Sequence, residues 1–134
     1  MNASRVVGSL VLCTLLAGCN ESTKTKECDE IIHELAEGIR AYKLEQGSFP
    51  ASGNANLVKA MNAKMSTGAP YCLIPGSELN EKGEVIDPWG RAIVYRVVSN
   101  APSMNPNDRL FELYSLGPNG RDEGGGGDDV RSWR

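Results

Sequence analysis

Apolar and polar residues alternate along this chain in three regimes. From Val6 to Leu16 the residues are almost continuously apolar, from Asn20 to Glu27 they are polar with no apolar period, and from Cys28 a helical rhythm sets in. Cys28, Ile31, Ile32, Leu35, Ile39 and Tyr42 recur at three- and four-residue steps, and Asp29, Glu30, Glu34, Glu37, Arg40, Lys43 and Glu45 fill the remaining faces. This spacing predicts an amphipathic helix with acidic residues in its first turn, Lys43 in its last, and Gly47 as a left-handed stop. Gly38 inside it costs about 1 kcal/mol relative to alanine. Leu57, Val58, Ala60, Met61 and Met65 predict a shorter second helix over Leu57 to Met65. Gly68, Pro70, Pro75, Gly76 and Gly83 break the chain into loops between Ser66 and Glu84. Arg91 to Val98, rich in branched residues, and Leu110 to Ser115, which alternates, predict two strands of an antiparallel hairpin turned through Asn100 to Asp108. The order predicts an α+β domain, with the first helix across an antiparallel sheet of about three strands and a Gly-rich acidic loop at the C-terminal end.

The N-terminal regime changes how the rest is read. Arg5 followed by the Val6 to Leu16 run and small residues has the layout of an export signal, too short to span a bilayer. Leu16-Ala17-Gly18-Cys19 also resembles a bacterial lipobox, which implies that Cys19 becomes a lipidated N-terminus; the alternative is a plain secretory signal in which Cys19 is incidental. More than one acyl chain, palmitate among them, holds a protein stably, because each buried methylene contributes roughly 0.8 kcal/mol. Asn20 after the cysteine, in place of Asp, points to the outer membrane. The expected organisation is a signal over residues 1–18, a lipidated cysteine and flexible tether over 19–27, and a globular domain over 28–134. Export also alters the reading of the cysteines, since an oxidising compartment favours disulfides. With Cys13 removed and Cys19 lipidated, Cys28 and Cys72 remain, either as a disulfide that stabilises by roughly 4 kcal/mol in the chain-entropy model or as two buried thiols.

Charge and composition then exclude function classes. A net charge of -3 leaves no basic excess for nucleic acid. The single histidine, His33, borders the helical stripe far from any nucleophile, and the chain has no Gly-x-Ser-x-Gly elbow, zinc helix or phosphate-binding loop, so no catalytic residue is assigned.

Three segments stand in order: Tyr42-Lys43-Leu44-Glu45-Gln46-Gly47-Ser48-Phe49-Pro50, Asp87-Pro88-Trp89-Gly90-Arg91, and Leu113-Tyr114-Ser115-Leu116-Gly117-Pro118-Asn119-Gly120. Followed by Gly124 to Gly127, Asp128-Asp129-Val130 and Ser132-Trp133, they resemble the globular part of the type II secretion major pseudopilin over roughly residues 28–134. Each segment also has an architectural reading: a helix stop, a turn whose Trp89 covers the core edge, and a loop. The resemblance implies a pseudopilin-like fold, yet the long apolar helix of that family is replaced here by the lipoprotein signal, so the fold transfers without the fibre role.

Asn119, Asp122, Glu123, Asp128 and Asp129 surround the four glycines, and such oxygens on a pliable backbone are what calcium requires. The same composition also describes a solvated acidic tail. The resemblance implies a calcium site formed by Leu116 through its carbonyl, Asn119, Asp128 and Asp129. The expected function is that of a non-enzymatic, lipid-anchored envelope protein that acts by protein–protein contact, with secretion or pilus components as its partners. A ligand-binding lipoprotein that reuses the fold, for a glycan for example, and a structural envelope protein are the alternatives.

Overall fold

The computed structural model describes residues 2–105 and 107–133, with side chains described from residue 21 onward. Of the signal over 1–18 and the lipidation site Cys19, the side chains therefore lie outside the described residues. Helix α1 (Asn2–Gln46) is followed by helix α2 (Asn54–Asn62), a 3-10 turn at Gly76–Glu78, and strands β1 (Val94–Val97), β2 (Phe111–Ser115) and β3 (Val130–Arg131). The three strands form one antiparallel sheet in the order β1-β2-β3, with Val94 opposite Tyr114 and Ser115 opposite Val130. The fold is α+β. Among the described residues no helix is long and apolar enough to cross a membrane.

The apolar stripe of α1 forms one wall of the core. Cys28, Ile32, Leu35, Ala36 and Ile39 are buried, and they pack in one cluster with Leu57, Val58 and Met61 of α2 and with Val85, Ile93, Tyr95 and Leu113. Full burial of each large aliphatic side chain contributes about 1.5–3 kcal/mol, so this single cluster is the main source of stability. Gly38 lets the chain approach closely: a Cβ there would lie 2.7 Å from Met61 Sδ and 2.9 Å from the Tyr71 carbonyl oxygen. Gly47 ends α1 as its spacing predicts, with φ +82°, while its N–H donates to the Lys43 carbonyl at 2.9 Å.

Four expectations need correction. The segment expected to be a flexible tether is helical over residues 21–27, continuous with the helix that follows, so the acidic residues near Cys28 lie inside α1 and not in its first turn. Local bonds support this: the Thr25 hydroxyl donates to the Glu21 carbonyl at 3.0 Å, and Lys24 pairs with Glu21 at 3.9 Å. Next, Cys28 and Cys72 are free thiols and not a disulfide. Cys72 Cβ packs where a Gly38 Cβ would stand, 3.0 Å away, and Cys28 lies ten residues earlier on the helix. That separation amounts to about 15 Å along the axis, beyond any disulfide span. Helix α2 begins at Asn54 and ends at Asn62, earlier at both ends than Leu57 and Met65, because Ala63 turns extended and Met65 N–H donates instead to the Ala69 carbonyl at 2.7 Å. Finally, the branched run Arg91 to Val98 serves two partners. Ile93 N–H donates to the Val85 carbonyl at 3.0 Å, and only Val94–Val97 joins β2.

Candidate metal centre

The Asp87-Pro88-Trp89-Gly90 turn supports the site from below. Gly90 N–H donates to the Asp87 carbonyl at 2.9 Å, and Asp87 Oδ1 accepts from the N–H groups of Trp89 and Arg91 at 3.0 and 2.9 Å. The opposite carboxylate oxygen accepts from the Ser115 hydroxyl at 2.7 Å, which fixes the turn to the end of β2. Arg91 then reaches the Gly117 carbonyl at 3.2 Å, so the loop leaving β2 starts from a braced position.

That loop runs from Leu116 to Asp129 and folds back on itself. Carboxylate oxygens of Glu123, Asp128 and Asp129 lie within 4.8 Å of one another. Asp129 Oδ2 accepts from the N–H groups of Glu123 and Gly125, both at 3.0 Å. Its other oxygen, Oδ1, is buried and has no hydrogen-bond partner. Asp128 Oδ2 accepts from Asn119 N–H at 3.2 Å, and Asn119 Nδ2 donates to Glu123 Oε1 at 2.6 Å. Asp122 faces the other way, accepting from Gly124 N–H and the Tyr114 hydroxyl, each at 2.9 Å. Those two bonds, the backbone one first, hold its carboxyl below the usual range, while burial pushes the Tyr114 hydroxyl up to about 12.

The glycines are where the loop needs room. A Cβ on Gly127, at φ +52°, would fall 1.6 Å from Glu123 Oε2, and one on Gly117, at φ +68°, would fall 2.2 Å from the Asp128 carbonyl oxygen. Leu116 is half-buried directly before Gly117, so the backbone enters the loop beside Asp128. Among the described residues no Lys or Arg forms an ion pair with Glu123, Asp128 or Asp129. A buried carboxylate oxygen without a donor is unfavourable, and three converging carboxylates repel. A hard divalent cation with oxygen ligands satisfies both conditions, so the donor set fits calcium.

Of the expected ligands, Asp128 and Asp129 lie together, with Glu123 beside them. Asn119 sits at the rim, where its amide steadies Glu123. Glu123 itself belongs to the cluster and was not assigned; the signal for it was its place immediately before the four glycines, which bend it back onto Asp128. His33 is exposed on α1 and is not among the converging acidic groups. Cys28 is buried among Ser115 and Asp87, and burial pushes its thiol up to about 11, so it is not an activated nucleophile. Beside the Phe111 end of β2 lies an open groove of about 780 Å³ lined by Arg40, Phe49, Arg109, Phe111 and Trp133. Its cations are already engaged: Arg40 pairs with Glu37 at 2.8 Å and Arg109 with Glu112 at 3.7 Å.

A helix lying along a small antiparallel sheet, closed by an acidic glycine-rich loop, defines the class of domain. Residues 16–133 match the family model described as type II secretion system (T2SS), protein G, and the chain belongs to that family. Its structure is similar to the crystal structure of the major pseudopilin from the type 2 secretion system of enterohaemorrhagic Escherichia coli. That similarity has a TM-score of 0.48 at 18% identity and covers 88% of this chain and 93% of that one. No match is found among curated proteins.

Proposed function

We propose that this chain is a non-enzymatic cell-envelope protein, held to a membrane by lipid on Cys19, whose protein G domain acts by contact with components of a secretion or pilus assembly. The observation that carries this reading is the family match across residues 16–133, which takes in the core, the sheet and the acidic loop. Lipid on Cys19 replaces the long apolar helix by which members of the family enter a fibre, and the outer membrane is the membrane it occupies. The groove beside Arg40 and Phe111 offers aromatic and paired charged groups of the kind that protein partners bury.

Calcium belongs to the same reading. Glu123, Asp128 and Asp129 would hold the ion with Asn119 and the Leu116 carbonyl, and the unpartnered Asp129 Oδ1 supports the assignment. When bound, the ion would supply positive charge that cross-links the loop. Asp129 positions the Glu123 and Gly125 backbone for it, and Asn119 keeps the Glu123 carboxylate turned inward.

Cells fed a labelled fatty acid test the proposal. Wild-type protein is expected to carry the label and to co-isolate with secretion components from gently solubilised envelopes, and Cys19→Ser to lose both. Unlabelled wild-type protein that purifies alone contradicts it.

A further inference from the structure

The Trp89 side chain is half-buried against the edge of the core, and its indole Nε1 donates to the Glu21 carboxylate at 3.1 Å. This bond joins positions 68 residues apart and fixes the tip of the Asp87–Gly90 turn to the first turn of α1 whose side chains are described. Glu21 follows Cys19 by two residues, and two residues of chain reach at most about 7 Å. Whatever Cys19 is attached to, Trp89 is held beside it. The segment from Glu21 to Glu27 is helical and continuous with the core helix, so the domain cannot swing clear as it would on a loose leash.

We infer that Trp89 is a membrane-surface contact, its indole seated at the headgroup level of the bilayer that holds the acyl chains on Cys19. The inference rests on the lipid-anchor reading above. An indole suits that depth, with a large apolar ring for the acyl boundary and an N–H that stays in the polar zone, here on the Glu21 carboxylate, and tryptophan is enriched there for that reason. Half-buried Pro88 adjoins it in the same turn. Lys24 and Lys26 lie on the same short helical segment and offer ammonium groups to lipid phosphates, alongside the carboxylates of Glu21 and Glu27. From Glu21 to Gln46 the helix rises about 38 Å, so a domain standing on its Glu21 end holds its far pole well above the bilayer. That pole includes the β1–β2 hairpin loop, because Lys43 Nζ donates to the Asn100 carbonyl at 3.0 Å, and within that loop Met104 is 99% exposed.

The test uses the full chain, processed in a bacterial host and reconstituted into phosphatidylethanolamine–phosphatidylglycerol vesicles whose acyl chains carry bromine. In a Trp133→Phe background Trp89 is the only tryptophan, and under excitation selective for tryptophan it is expected to lose most of its fluorescence relative to unbrominated vesicles. A reporter moved to the far pole, Trp89→Phe with Met104→Trp, is expected to keep its emission. Because Trp133→Phe removes a packed ring, the same comparison between wild type and Trp89→Phe gives the Trp89 signal by difference. Protein that floats with the vesicles while Trp89 stays unquenched overturns the contact and leaves the anchor intact. Wild-type protein that fails to float, as Cys19→Ser is expected to fail, overturns both.

Discussion

Ser115 donates its hydroxyl to Asp87 Oδ2 at 2.7 Å, with both side chains buried, and so joins the last residue of β2 to the turn that precedes β1. The Ser115 oxygen also accepts from Gly117 N–H at 3.1 Å, which starts the acidic loop. Ser115→Ala leaves a buried carboxylate with one oxygen unpartnered, and a hydrogen bond to a charged group contributes about 1.5–3 kcal/mol. Urea unfolding of this variant is expected to show an unfolding free energy lowered by that amount, seen as a lower midpoint with an unchanged slope. A midpoint equal to wild type would mean that the bond carries no weight.

Gly38 sets two effects against each other. Alanine in an exposed helix interior gains about 1 kcal/mol over glycine. Here the added methyl would meet Met61 Sδ at 2.7 Å, the Tyr71 carbonyl at 2.9 Å and Cys72 Cβ at 3.0 Å. Met61 can move, but the Tyr71 carbonyl is backbone, and overpacking of that kind costs about 1–3 kcal/mol. Gly38→Ala is therefore expected to lower the thermal midpoint, and a raised midpoint would show that helix propensity wins.

Burial pushes both thiols up to about 11, Cys28 beneath Ser115 and Asp87, and Cys72 next to Glu34 and Glu78. Alkylation without reductant is expected to leave both unmodified in the native protein at pH 8 and to label both after denaturation. A disulfide-linked Cys28–Cys72 peptide would contradict the free thiols. The linkage sign follows from the direction of the shift. Each thiol ionises in the unfolded chain near its ordinary 9.0 but is held protonated in the fold, so stability is intact below about pH 9 and falls as pH rises toward about 11.

Much of the fold was legible because periodic burial leaves a periodic trace. The α1 stripe, the two long strands and the Gly47 stop follow from spacing alone. Asn54 does not: its amide donates to the carbonyls of Val85 and Ile93 at 2.8 and 2.7 Å and accepts from Val85 N–H at 2.6 Å, pulling the start of α2 ahead of its first apolar residue. A single buried asparagine has no period to betray it. The helical segment before Cys28 was missed for a related reason, since the bond that ties it to the Asp87–Gly90 turn reaches Trp89 across 68 residues. Counting cysteines suggested a disulfide, but parity carries no information about distance along a helix. In the acidic loop, composition marked a stretch rich in oxygen donors, and which of its carboxylates converge depended on how the glycines bend, which brings Glu123 in beside Asp128 and Asp129.

The most direct measurement is thermal unfolding in excess calcium and in chelator. A ligand at a hundred times its dissociation constant adds about 2.7 kcal/mol, which raises the midpoint of a domain this size by roughly 10 °C. The buried, unpartnered Asp129 Oδ1 predicts a rise of that order in the wild type, abolished in Asp129→Ala. Identical midpoints in calcium and chelator would contradict the metal centre and leave the loop held by its own hydrogen bonds.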